Sequence, residues 1–78
     1  MDSNTIDLLK EFLVTDIISF IMEDDGIPPV EAMNQFYNSE VFGKIEDTKT
    51  GLYRESSAYV YDLYKNESKY GHLVQIEI

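Results

Sequence analysis

Between Asn4 and Asp25 the apolar residues Ile6, Leu9, Leu13, Ile17, Phe20 and Ile21 recur at spacings of three and four. That rhythm draws a single stripe along a helix of 3.6 residues per turn and fits no strand, whose faces alternate at every second residue. Ser3 or Asn4 can cap its start, and Asp7 would sit in the first turn, where the helix dipole favours a negative charge. Gly26 offers the left-handed position just past the end, and Pro28-Pro29 blocks continuation. Such a helix uses more than a quarter of the 78 residues, so whatever else forms must pack around it. Leu8 and Phe12 fall about a third of a turn outside the stripe. A helix apolar on more than one side is central to its domain or shared with another chain.

The rest of the chain continues in short helical units. Pro28-Pro29 suits a first helical turn, and Val30, Met33, Phe36 and Tyr37 supply an apolar face. Asn38-Ser39 reads as a break with a new cap, and Val41, Phe42 and Ile45 as a third helix ending near Asp47. A polar turn follows through Gly51, which can take a positive φ at low steric cost. Ser56 caps a fourth helix reaching about Lys69, with Tyr59, Val60, Leu63 and Tyr64 as its stripe. Only the end changes character, where Val74, Ile76 and Ile78 alternate with Gln75 and Glu77, a period of two. No second strand pattern accompanies it, and a lone strand cannot satisfy its backbone inside a helical bundle. The run therefore reads as an extended arm, with pairing against a strand of another chain slightly favoured over disorder or an arm laid on the bundle.

The expectation is an all-α fold in one domain spanning residues 1–78. It is a compact bundle of three or four helices, with the long N-terminal helix at its centre and a short extended C-terminal arm. Ile6, Leu9, Leu13, Ile17, Ile21, Met33, Phe36, Phe42, Leu63 and Tyr64 should be largely buried. A chain this short buries only about 60% of its unfolded surface, which leaves no room for a deep substrate cavity. It has no cysteine, so disulfides and thiolate–zinc sites are excluded, and oligomerisation or a partner protein is the remaining supplement to stability.

Charge narrows the partners. The net charge is −9, and residues 1–26 hold seven acids against Lys10 alone, a local net of −6. Phosphate backbones and anionic membranes repel such a surface, so direct nucleic-acid or membrane binding is not expected, while a basic protein partner would be attracted. The same acids also serve solubility. The acidic start does not read as a secretion signal, and the apolar stretch from Phe12 to Met22 is broken by Thr15, Asp16 and Ser19. A cytoplasmic location is the expectation.

No catalytic, cofactor or metal motif emerges. The lone His72 has no oxyanion hole or triad partners written around it. Glu23-Asp24-Asp25-Gly26 places its acids consecutively, whereas a calcium loop alternates its ligands and closes with a distant glutamate. Gly43-Lys44 and Lys49-Thr50-Gly51 match no phosphate-binding loop. The chain is therefore not expected to be an enzyme. Six tyrosines without a tryptophan suit cores and interfaces alike. Tyr59 and Tyr64 group with Val60 and Leu63 as core residues, whereas Tyr61 points elsewhere on the same helix. The residues expected to meet a protein partner are Leu8, Phe12, Tyr61, Val74, Ile76 and Ile78.

The segments Phe36-Tyr37-Asn38-Ser39, Asp47-Thr48-Lys49-Thr50-Gly51-Leu52-Tyr53 and Ser56-Ser57-Ala58-Tyr59-Val60-Tyr61 form a pattern. It runs F-Y-x-S and then D-x-x-T-G-L-Y-x-x-S-x-x-Y-V-Y. This resembles a family of short uncharacterised bacterial proteins, over roughly residues 12–67. Members are often encoded beside candidate toxin–antitoxin genes. The resemblance implies an antitoxin-like or accessory subunit that holds its partner through protein contacts. A small structural homodimer is the alternative, and a small enzyme the third class.

Overall fold

The computed structural model describes the backbone of residues 3–70 and the side chains of residues 4–69. Within them the chain is an all-α bundle of four helices without a strand. Helix α1 spans Ser3–Asp25, α2 Pro29–Tyr37, α3 Glu40–Glu46 and α4 Ser57–Tyr70, and two single 3₁₀ turns, Thr48–Thr50 and Leu52–Arg54, join α3 to α4. Helix α1 is the common wall, packing against α2, α3, α4 and the second 3₁₀ turn. Val74, Ile76 and Ile78, where an extended arm was expected, lie outside the described residues, as does His72.

The long helix begins at Ser3, so Asp7 lies beyond its first turn, which carries no acid. Its end follows the local chemistry. Gly26 takes φ +63°, its N–H donates to the Met22 carbonyl at 2.9 Å, and Ile27 folds back against the core. This is the left-handed cap that glycine permits without a Cβ penalty.

Leu13, Ile17 and Ile21 of α1 are buried, together with Ala32, Phe36, Val41, Ile45, Leu52, Val60 and Tyr64. Ile6, Leu9, Met33, Phe42 and Leu63, expected to be largely buried, are only half-buried. The inward face of α2 is Ala32 and Phe36, four residues apart, so Val30, offset by two positions, stands 69% exposed, and Tyr37 is exposed beside Phe36. In α4 the inward pair is Val60 and Tyr64, which turns the neighbouring Tyr59 outward to 47% exposure. Rings close the centre, with Phe36 meeting Phe42 edge-on at 5.7 Å and Tyr64 at 5.5 Å, geometries favoured by the aromatic quadrupole.

The seven-residue α3 is held at both ends by distant side chains. At its start Ser39 Oγ accepts from the Phe42 N–H at 3.1 Å. The Glu67 carboxylate, from α4, accepts from Glu40 N–H at 2.7 Å and Val41 N–H at 3.1 Å. At its end Lys10 Nζ, from α1, donates to the Glu46 carbonyl at 2.9 Å. An anion at the N-terminus and a cation at the C-terminus satisfy unpaired backbone groups and oppose the helix dipole. A helix too short to persist alone is thereby tied to the two longest ones.

The link to α4 is just as ordered. Asp47 Oδ1 accepts from Lys49 N–H at 3.0 Å. Thr50 Oγ1 accepts from Leu52 N–H at 3.1 Å and lies within donating distance of the Asp47 and Lys44 carbonyls. Gly51 turns the chain at φ +69° and drops Leu52 into the core, with Tyr53 packed against it. Ser56 Oγ then accepts from Tyr59 N–H at 3.2 Å, capping α4 from the expected position.

Candidate protein-interaction surface

Two of the residues expected to meet a partner stand clear of the core. Leu8 is 49% and Phe12 59% exposed, because the inward stripe of α1 is centred on Leu13 and Ile17 and each residue turns the helix by about 100°. Thr15 and Ser19, also exposed, continue the same row at spacings of three and four. The face is thus a ridge, apolar at its N-terminal half and hydroxylated beyond. One flank of the ridge overlooks a shallow hollow of about 340 Å³, where Phe12 and Leu9 meet Tyr53 and Arg54 of the second 3₁₀ turn.

The other flank opens into a larger groove of about 490 Å³ between α1, α2 and α3. Its floor is Val14 and Ile18 of α1, Met33 and Tyr37 of α2, and Phe42 of α3. Tyr37 and Phe42 rest ring against ring at 4.9 Å. Asp7, Glu11 and Glu46 stand around it, with Lys10 the only cation among the lining residues. Nothing in the sequence pattern marks this groove directly. Val14 and Ile18 are four residues apart and lie off the main stripe, which was the available signal, but only the placement of α2 and α3 turns them into a floor.

Tyr61, also expected to meet a partner, takes part in the packing between α1 and α4. It is half-buried at the joint between α1 and α4, its ring 5.2 Å from Phe20 and stacked on Tyr64 at 6.2 Å. Its hydroxyl donates to Asp24 Oδ2 at 2.6 Å, and Lys65 Nζ lies 4.9 Å above the ring. Burial, then the hydrogen bond to Asp24 and the negative charges of Asp24 and Asp25, push the Tyr61 phenol well above its ordinary range. Tyr64 is raised as well, by burial first and then by Asp25 and Glu67. Among the described residues the exposed aromatic on α4 is Tyr59. Val74, Ile76 and Ile78 lie outside the described residues.

Nothing among the described residues gathers three or more potential metal ligands. The consecutive acids at the end of α1 diverge, and Asp24 is engaged by Tyr61. No helix of the described residues is long and apolar enough to cross a membrane. Comparison with protein-family models, with curated proteins and with solved structures returns no match to this chain. Of the residues that carry the resemblance, Thr50-Gly51-Leu52-Tyr53 form the ordered turn ahead of α4.

Proposed function

We propose that this chain is a protein-binding accessory subunit, antitoxin-like in the sense the resemblance implies, that works in the cytoplasm by covering a basic protein partner. It performs no chemistry of its own and needs no cofactor. The observation that carries the reading is the pairing of exposed Leu8 and Phe12 with the −6 balance of residues 1–26. An apolar ridge gives a partner something to bury, and the surrounding acids speed encounter with a basic surface while turning away acidic ones. A partner that acts on nucleic acid carries the basic surface such a field attracts.

The test is co-expression with the product of a neighbouring gene, followed by pull-down and a growth assay for suppressed toxicity. The expected result is a stable complex whose association slows as salt rises, and whose yield falls when Leu8 and Phe12 are both changed to aspartate. A folded chain that captures no neighbouring product would overturn the proposal. The homodimer reading is favoured by the same ridge but opposed by its charge, since a two-fold interface on α1 sets like charges against each other. Light scattering decides it, because a dimeric mass that becomes monomeric on Phe12→Asp would replace the accessory-subunit reading.

A further inference from the structure

We infer that the groove between α1, α2 and α3 is the docking site for a basic amphipathic helix of the partner, an assignment that rests on the protein-binding reading above. The groove joins an apolar floor to an acidic rim. Its floor is apolar and only half-covered, since Val14, Ile18, Met33 and Phe42 are all partly exposed and Tyr37 is 44% exposed. An amphipathic helix presents anchors at i, i+3, i+4 and i+7 that fill such a trough.

The rim supplies the sign of the charge. Asp7, Glu11 and Glu46 are exposed around the trough. The one lining cation, Lys10, has its ammonium on the Glu46 carbonyl at the end of α3, where it answers that helix's dipole. The groove therefore offers three carboxylates to the polar face of an incoming helix. Lysine or arginine flanking the apolar anchors complements them, and an acidic helix would be repelled by the same three carboxylates. Thr15 and Ser19 form the outer lip and lie in one row with Leu8 and Phe12, so a helix seated in the groove touches the exposed ridge along its margin. A methionine and two aromatic rings on the floor suit a surface that adjusts to its occupant.

The probe is a synthetic amphipathic peptide of leucine and lysine with apolar residues at i, i+3, i+4 and i+7, compared with its counterpart carrying glutamate for lysine. Binding is followed on the isotope-labelled full chain by amide chemical shifts. The lysine peptide is expected to bind and to move the signals of Val14, Ile18, Met33 and Phe42 most, while the glutamate peptide binds at least about tenfold more weakly. Asp7→Lys with Glu11→Lys should weaken the lysine peptide by about tenfold, which is about 1.4 kcal/mol. Asp16→Lys with Glu23→Lys makes the same change in net charge on exposed positions of the same helix, and should weaken it by less than about threefold if the groove is specific. Equal losses in the two double variants, shifts centred away from the groove, equal binding of both peptides, or no binding would each overturn the assignment. The shift map on the unchanged chain keeps the test valid if a double variant fails to fold. A neighbouring-gene product that still co-purifies with Asp7→Lys and Glu11→Lys present would refute the groove and leave the accessory-subunit reading standing. Absence of any such product refutes that reading, and the peptide map then judges the groove alone.

Discussion

Replacing Gly51 with alanine, and Gly43 with alanine as its counterpart, should change stability in opposite directions. Gly51 sits at φ +69°, and a Cβ there would lie 2.8 Å from Arg54 Nη2. Holding a residue with a Cβ in the left-handed region costs about 1–2 kcal/mol. The Arg54 guanidinium can swing aside, but it then leaves the Tyr53 ring, 5.7 Å away, a contact worth about 0.5 kcal/mol at an exposed site. The expected loss is therefore about 1.5–2.5 kcal/mol. For a domain of this size each kcal/mol moves Tm by about 4–8 °C, so Gly51→Ala should melt about 6–20 °C lower. Gly43 lies inside α3, and a Cβ there meets nothing within 4 Å. Its alanine should gain up to about 1 kcal/mol through helix propensity. Thermal unfolding followed by circular dichroism at the helical band reads both. Asparagine at 51 tolerates the left-handed region better than alanine and should recover part of the loss. If Gly51→Ala melts at or above the wild-type temperature, the backbone argument is wrong. Should it also abolish partner binding, the turn is a recognition element rather than a structural one.

Three further outcomes are expected. Ile17→Ala, at a position with no exposure, should cost about 2–5 kcal/mol, whereas Phe12→Ala should stay within about 0.5 kcal/mol; equal losses in denaturant titration would show that the exposed ridge is structural. Glu67→Ala removes the acceptor of two N–H groups of α3 and should cost about 0.5–2 kcal/mol, the range for a lost cap; hydrogen exchange should then rise first at Glu40 and Val41, and unchanged protection there would contradict the clamp. Tyr61 and Tyr64 are both raised in the fold, so the stability they contribute is complete below about pH 10, the unfolded value, and is lost as pH climbs through the folded values. Denaturation midpoints should fall above about pH 10, less steeply in Tyr61→Phe, and a parallel fall in both proteins would deny Tyr61 that role.

Much of the fold was legible residue by residue because its signals are local. The stripe on α1, the left-handed Gly26, Ser39 and Ser56 as caps and Gly51 as the turn all act over three or four positions, and the structure contains each of them. The inward faces of short helices were harder to read. Nine residues of α2 show barely more than two turns, too few for the pattern to separate a face led by Val30 from one formed by Ala32 and Phe36. In α4 three consecutive apolar residues, Tyr59, Val60 and Tyr61, left the direction of each to be settled by the position of α1.

The sequence by itself determined the helical class, the breaks between helices and the acidic balance, because backbone preference and net charge are properties of neighbouring residues and of composition. Tertiary structure alone decided what connects residues far apart in the chain. It brought Glu67 and Lys10 to opposite ends of α3, 27 and 36 positions from the backbone groups they bind. It turned Tyr61 inward onto Asp24, and it made a groove from side chains of three helices. Such contacts depend on the angles and offsets at which helices pack, and a helix's own periodicity carries no record of which neighbour will cover it or where.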